Sequence, residues 1–184
     1  PGSPLVYHAA RHLGKHIIGE DPRRVDYLWT KLYRDFNWQG PTGTMMCAMS
    51  GIDMALLDLK AKWLGVPCYE LLGGAFRKEI LLYANYWFIQ GAHNPEDYAR
   101  QARGVIEAGF TGLKFDPFAH TNYLFGDDLS SNLTLTCEQE NLAYEIVSAV
   151  RQAVGSSVQI MIETHAFLSM PTAIRMAQRL EPLN

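Results

Sequence analysis

Two pairs of ionisable residues, each with a spacing of two, follow short apolar runs in this sequence. Glu163 and His165 form the later pair, and Lys114 and Asp116 form the earlier one. Side chains two residues apart on a strand point to the same face. Carboxylate, imidazole and ammonium groups at the carboxyl ends of parallel strands are typical of catalytic sites in α/β proteins. We therefore expect these four residues to meet at one site.

The apolar runs before these pairs are predicted to be strands. Residues 158–162 are nearly all apolar and follow Gly-Ser-Ser, a pattern that predicts a strand buried on both faces. Residues 110–117 form the earlier strand, which Pro117 ends because proline cannot donate to a strand ladder. Residues 80–88 are predicted to form a third. Each is followed by a helical segment, so the pattern indicates three strand–helix units of an α/β fold.

Helical patterns account for most of the remaining chain. In residues 1–79 we predict four helices and no strand. They cover 5–18, a segment that begins after an N-cap at Asp21-Pro22, 45–64, and 68–72. Cys47, in the third of these helices, is predicted to be buried. In the second part, helices are expected from Asn94-Pro95 to 108, from the Thr136 and Gln139 capping box to 154, and from Ser169 to about 180. We therefore predict two domains, 1–79 and 80–184.

Composition and charge exclude several classes of protein. Among 184 residues the formal net charge is −3, which gives no electrostatic reason to expect binding to nucleic acid or an anionic membrane. Three widely spaced cysteines are typical of reduced thiols in a cytoplasmic protein. Apolar stretches stay well short of the ~20 residues of a membrane span, and no signal-peptide pattern opens the chain. We therefore predict cytoplasmic localisation.

Longer motifs resemble a known enzyme family. The stretches GIDMALLDLKAK (51–62), LGVP (64–67) and YELLGG (69–74) resemble the capping-domain signature of the mandelate racemase and muconate lactonizing enzyme branch of the enolase superfamily. Residues 109–116 and 161–165 resemble its second and third barrel strands. The resemblance implies the helical part of a capping domain, followed by the first three βα units of a TIM-type barrel. Glu-x-His after the third strand is similar to the galactonate-type acid-sugar dehydratases.

The resemblance also implies a chemistry. Enzymes of this superfamily remove the proton next to a substrate carboxylate and stabilise the resulting enediolate with Mg²⁺. In the dehydratases, the substrate then loses its β-hydroxyl as water. By resemblance, Glu163 is a metal ligand, His165 is the general acid, and Lys114 is the first lysine of a Lys-x-Lys pair. The implied partners are a sugar acid from carbohydrate catabolism and further copies of the same chain in a homo-oligomer.

Two features depart from the family pattern. Asp116 stands where racemases carry a second lysine, which argues against racemisation by a lysine base on this strand. A (β/α)₈ barrel takes about 250 residues, whereas about 105 residues follow residue 79. We therefore expect the barrel to be incomplete in this chain, with the remaining metal ligands and the base outside it.

Simpler interpretations of the same residues remain open. Glu163 can also be interpreted as a solvated carboxylate, and His165 as a hydrogen-bonded structural histidine. Lys114 would contact the substrate carboxylate or balance the charges of neighbouring acids, and Asp116 would support a catalytic neighbour or anchor a loop. For the whole protein, the alternatives to a dehydratase are an epimerase or racemase, or a catalytically inert binding module.

Overall fold

The computed structural model of the chain describes residues 3–40, 42–89, 91–119 and 135–184. The chain divides into two compact units, Pro1–Glu79 and Ile80–Asn184. Among the described residues, no helix is both long and apolar enough to cross a lipid bilayer.

The described part of the first unit is helical. Its elements are α1 (Pro4–Gly14), α2 (Val25–Phe36), a 3₁₀ turn (Asn37–Gln39), α3 (Gly43–Leu64) and α4 (Cys68–Leu71). Helix α1 begins where the Ser3 hydroxyl accepts a hydrogen bond from the Leu5 backbone N–H, with Pro4 in the first turn. Helices α1, α2 and α3 share one apolar core, whose buried members are Leu13, Leu32, Phe36, Ala48 and Met49.

Two predictions for the first unit are wrong. Asp21 does not cap α2, which begins at Val25; its carboxylate instead accepts the backbone N–H and the guanidinium of Arg23, at 3.0 and 2.7 Å. These hydrogen bonds lower the pKa of Asp21 to about 2. Cys47 is exposed, because α3 buries Ala48 and the adjacent methionine but turns Cys47 toward solvent.

The second unit combines helices with a parallel sheet. Its described elements are α5 (Pro95–Glu107), β1 (Gly112–Phe115), α6 (Cys137–Val154), β2 (Gln159–Ile162), α7 (Met170–Leu180) and a 3₁₀ turn (Glu181–Leu183). Strands β1 and β2 are adjacent and parallel, with Lys114 opposite Met161 and Phe115 opposite Ile162. Helix α6 lies in the connection between them, as a parallel crossover requires.

The expected helix starts in this unit are confirmed. The Asn94 side chain accepts the Asp97 backbone N–H at 2.9 Å, and Pro95 occupies the first turn of α5. Thr136 and Gln139 form a reciprocal capping box, with hydrogen bonds of 3.2 and 2.8 Å, at the start of α6. Each cap satisfies N–H groups that the first helical turn leaves without an intrahelical partner.

The predicted strand at 80–88 is wrong over most of its length. Among the described residues of this stretch, only Ala84 pairs with the sheet, through a parallel bridge to Leu113. Its N–H and C=O make hydrogen bonds of 3.0 and 2.8 Å to the backbone of β1. The chain then turns at Tyr86, whose φ of 60° is incompatible with extended backbone.

The burial of the two regular strands differs. β1 is central, and its Phe115 is fully buried against the aromatic rings of Trp87, Phe88 and Tyr98 at centroid distances of 5.3 to 6.4 Å. β2 was expected to be buried on both faces, but Gln159 is exposed and the rest of the strand is half-buried. The reason is that β2 pairs with β1 alone in the part of the chain that the structure describes.

Candidate active site

The register of the two strands brings their carboxyl ends together. Glu163 follows β2 directly, and its backbone N–H donates to the Phe115 carbonyl at 2.9 Å, which extends the ladder by one hydrogen bond. Asp116 follows β1 directly at the same level of the sheet. The side chains beyond these strand ends therefore share one edge, where parallel α/β sheets place their functional groups.

Lys114 and Glu163 form the first contact at this edge. The Lys114 Nζ lies 3.1 Å from Glu163 Oε2, and the two side chains are 23% and 32% exposed. Both charges are therefore partly shielded from water yet open on one side. The hydrogen bond to Glu163 raises the pKa of Lys114, so the ammonium form is favoured.

Asp116 and His165 form the second contact. Asp116 Oδ2 lies 3.1 Å from His165 Nδ1, and its Oδ1 accepts the Phe118 backbone N–H at 2.8 Å. Asp116 is 1% exposed, whereas the His165 side chain is 43% exposed. The aspartate is thus a buried support, and the imidazole is the member of the pair that a ligand can reach.

The loop after β2, rather than the pleat of a strand, places His165. β2 ends at Ile162, so the period-two argument for Glu163 and His165 does not apply beyond that residue. Instead, Glu163 Oε1 accepts the backbone N–H groups of Thr164 and His165, at 3.1 and 2.9 Å. His165 and Ala166 both have left-handed backbone, with φ of 49° and 59°. Two such residues in succession, neither a glycine, store strain of a kind that clusters at functional sites.

These hydrogen bonds also set the charge of Glu163. The His165 backbone N–H has the largest effect in lowering the pKa of Glu163, followed by the Lys114 ammonium, and both outweigh the opposing effect of burial. The carboxylate form is therefore favoured. At neutral pH the edge presents an anion and a cation side by side, next to a supported imidazole.

Three aromatic residues that sequence reasoning did not assign to the site hold it in place. The Tyr83 ring centroid lies 5.6 Å from Lys114 Nζ, within reach of a cation–π contact. Trp87 Nε1 donates to the Lys114 carbonyl at 3.0 Å, and the Tyr98 hydroxyl lies 3.4 Å from the Asp116 carbonyl. Burial, followed by the nearby charge of Asp116, raises the pKa of Tyr98 to about 12. For Trp87 and Tyr98, which are partly or fully buried, the sequence did carry a signal, because a buried Tyr or Trp needs a partner for its polar group.

Glu163 has the donor chemistry that Mg²⁺ prefers, namely an ionised carboxylate oxygen. Its Oε2 is shared with Lys114 and retains capacity for a second interaction, because each carboxylate oxygen offers about two lone-pair sites. Within 3–40, 42–89, 91–119 and 135–184, however, no group of three or more His, Cys, Asp and Glu side chains could hold a metal ion. Glu163 is thus chemically suited to be one ligand of a Mg²⁺ site, and such a site needs further ligands from outside the described residues.

Two protein-family models match the chain. The family described as mandelate racemase / muconate lactonizing enzyme, N-terminal domain, matches residues 5–73, and the enolase C-terminal domain-like family matches residues 97–184. The chain belongs to the mandelate racemase/muconate lactonizing enzyme family. The two matches fall in the first and second structural units, respectively.

Curated relatives in this family include sugar-acid dehydratases. The chain is 38% identical to D-gluconate dehydratase of Thermoproteus tenax, over 96% of this chain and 33% of the relative. It is 33% identical to D-galactonate dehydratase of Pectobacterium atrosepticum, over 98% of this chain and 45% of the relative. The chain therefore spans between a third and a half of the length of these relatives.

A solved structure shows the same fold. The crystal structure of a member of the enolase superfamily from Salmonella Typhimurium matches with a TM-score of 0.85 and 35% identity, over 99% of this chain and 49% of that one. The expected α/β fold of the enolase superfamily is thereby confirmed. The roles of Glu163, His165, Lys114 and Asp116 stay predictions.

Proposed function

We propose that the whole protein is a Mg²⁺-dependent dehydratase of a sugar acid. The observation that carries the proposal is the junction of Glu163 and His165, where an ionised carboxylate accepts the backbone N–H of a partly exposed histidine at 2.9 Å. The names of the relatives, D-gluconate and D-galactonate dehydratase, support the substrate class. A carboxylate that can bind a metal then stands beside a group that can transfer a proton.

In this proposal, Glu163 and Lys114 receive the carboxylate end of the substrate. Glu163 is one ligand of the Mg²⁺, which when bound supplies the positive charge that stabilises the enediolate. Lys114, held 3.1 Å from Glu163, balances that carboxylate and offers a cation to the substrate carboxylate. Their partial burial strengthens both interactions relative to bulk water.

His165 is the proposed general acid. A base outside the described residues removes the proton from C2, and the resulting electron pair expels the hydroxyl from C3. His165 donates a proton to that hydroxyl, which leaves as water, and the enol product then gains a proton at C3 to give the 2-keto-3-deoxy acid. Since the ring is 43% exposed, its proton can reach a substrate held at this edge.

Epimerisation is the less favoured reaction for this site. It requires a proton donor or acceptor on each face of C2, and Asp116 occupies the position where a racemase of this family would carry its second lysine. Asp116 is 1% exposed and bonded to His165 and the Phe118 backbone, so it does not reach a substrate.

The test is an assay of the whole protein with D-gluconate and D-galactonate, supplied with Mg²⁺ and measured by formation of the 2-keto-3-deoxy acid. His165→Asn should lower the dehydration rate by about 10² to 10⁴, the usual effect of removing a general acid. Exchange of the C2 proton with solvent deuterium should persist, because a different residue is the base. His93→Asn, the same change at an exposed histidine of the same unit, is the matched control.

Two outcomes would contradict the proposal. If the folded protein with Mg²⁺ dehydrates neither acid, a sugar-acid dehydratase of this substrate class is excluded. If exchange and dehydration fall together in His165→Asn, the histidine is the base or maintains the metal site, and its assignment as the acid is wrong.

A further inference from the structure

The Asp116 carboxylate is buried, and each of its oxygens faces a nitrogen of another residue. Oδ1 accepts the Phe118 backbone N–H at 2.8 Å, and Oδ2 lies 3.1 Å from His165 Nδ1. The side chain is 1% exposed, so water does not compete for these hydrogen bonds. Since a backbone N–H can only donate, the role of Oδ1 is fixed by geometry.

We propose that Asp116 is a positioning residue that fixes the tautomer of His165. A carboxylate only accepts hydrogen bonds, so the ring nitrogen that faces it, Nδ1, must carry a proton. Nε2 is then the nitrogen that gains and loses the catalytic proton, on the side of the ring away from Asp116. This inference rests on the proposed function for its catalytic consequence, but not for the tautomer itself.

The backbone reinforces the same orientation from the other side. The His165 N–H donates to Glu163 Oε1 at 2.9 Å, and the residue has a left-handed φ of 49°. The ring is thus fixed at its backbone and at Nδ1. A general acid held at two points in this way needs little reorganisation during the reaction.

Replacement of Asp116 by asparagine distinguishes two roles of Asp116: control of the His165 tautomer, and anchoring of the loop through the Phe118 N–H. The asparagine carbonyl must face the Phe118 N–H, since an amide NH₂ there would oppose another donor. The NH₂ group then faces His165 Nδ1 and can only donate to it. Asp116→Asn therefore keeps the loop anchor and the side-chain volume but forces the opposite tautomer, with the proton on Nε2.

The experiment is NMR of the whole protein labelled with ¹⁵N-histidine, recorded at increasing pH until the ring ¹⁵N shifts of His165 no longer change. Two-bond ¹H–¹⁵N correlations distinguish protonated from unprotonated ring nitrogens, and the spectrum of His165→Asn assigns the His165 signals. Wild-type His165 should be protonated at Nδ1, and Asp116→Asn should shift the proton to Nε2. Asp97→Asn, which changes an aspartate bonded to Arg100 on α5, should leave the tautomer unchanged.

Activity supplies the second readout. With a sugar acid that the wild-type protein dehydrates, Asp116→Asn should lower kcat by about 10² to 10⁴ and change KM little, because the acid and not the binding site is altered. A wild-type ring protonated at Nε2, or an unchanged tautomer in Asp116→Asn, would overturn the inference. Failure of the dehydratase assignment would appear differently, as a wild-type protein without activity whose His165 is still protonated at Nδ1.

Discussion

Glu163 connects the two contacts of the candidate site. One oxygen accepts two backbone N–H groups of the following loop, and the other faces the Lys114 ammonium. The same carboxylate therefore shapes the loop that carries His165 and supplies the negative charge of the site. Each donor favours the ionised form, which explains why its pKa is lowered although part of the side chain is removed from water.

Glu163→Gln should weaken Mg²⁺ binding to the whole protein by about tenfold or more, because it removes one anionic ligand and little volume. The glutamine oxygen can still accept the two N–H groups of the loop, so the fold should be retained. Calorimetric titration with Mg²⁺ measures the effect directly. Glu145→Gln, at an exposed position on α6, is the matched control. Unchanged Mg²⁺ affinity in Glu163→Gln would show that Glu163 is not a ligand.

Asp116 illustrates which properties of the site could be predicted at the scale of single residues. Residue type and spacing were sufficient to predict that these four side chains lie at one edge of the sheet. Residue types alone left the partner of Asp116 open, because its contact with His165 joins residues 49 positions apart and depends on strand register and on a left-handed loop. One Asp116 oxygen faces His165 and the other accepts the Phe118 N–H of the following loop, and the catalytic role of Asp116 stays a prediction.

Helices were predicted more accurately than strands, for a physical reason. A helix start is encoded within four residues, as in the Thr136 and Gln139 capping box, and the signal is complete in the sequence. A strand depends on partners that are distant in sequence. Residues 80–88 have β-type composition, yet only Ala84 pairs with β1. Asp21 shows that even a local cap signal fails when Arg23 offers the carboxylate a charged partner.

Arg151 links several secondary-structure elements through hydrogen bonds that were not predicted from the sequence. Its guanidinium donates to the carbonyls of Val158 and Leu183, each at 2.7 Å, and also to those of Gly155 and Asn184. These carbonyls belong to the turn before β2 and to the segment after α7. Burial lowers the pKa of Arg151, but the planar group with five donors can serve several carbonyls at once.

Arg151→Lys should destabilise the second unit by about 2 kcal/mol, because an ammonium cannot reach carbonyls spread over so wide an arc. The charge is kept, so the effect isolates the geometry of the guanidinium. Chemical denaturation of the whole protein measures it. Arg103→Lys, at an exposed position on α5, should change stability by less than about 0.5 kcal/mol. Equal effects of the two substitutions would show that the Arg151 contacts contribute nothing.

At the scale of the whole molecule, the main feature is the amount of apolar surface left open on the second unit. Ile80 and Leu81 are each 75% exposed, and Leu82 is 67% exposed. Ile160 and Ile162 of β2 are only half-buried, and this strand has one unpaired edge among the described residues. Open edges and contiguous apolar surface promote association with other chains.

The 184-residue chain expressed by itself should therefore self-associate. Sedimentation velocity should show species larger than a monomer, increasing with concentration. The double substitution Leu81→Lys and Leu82→Lys should shift the distribution toward the monomer, because charged side chains on an exposed apolar stretch oppose association. Leu5→Lys, at a 67% exposed residue of α1, is the matched control and should leave the distribution unchanged. A monodisperse wild-type monomer with a single cooperative unfolding transition would show that this surface is tolerated in water, and the prediction would be wrong.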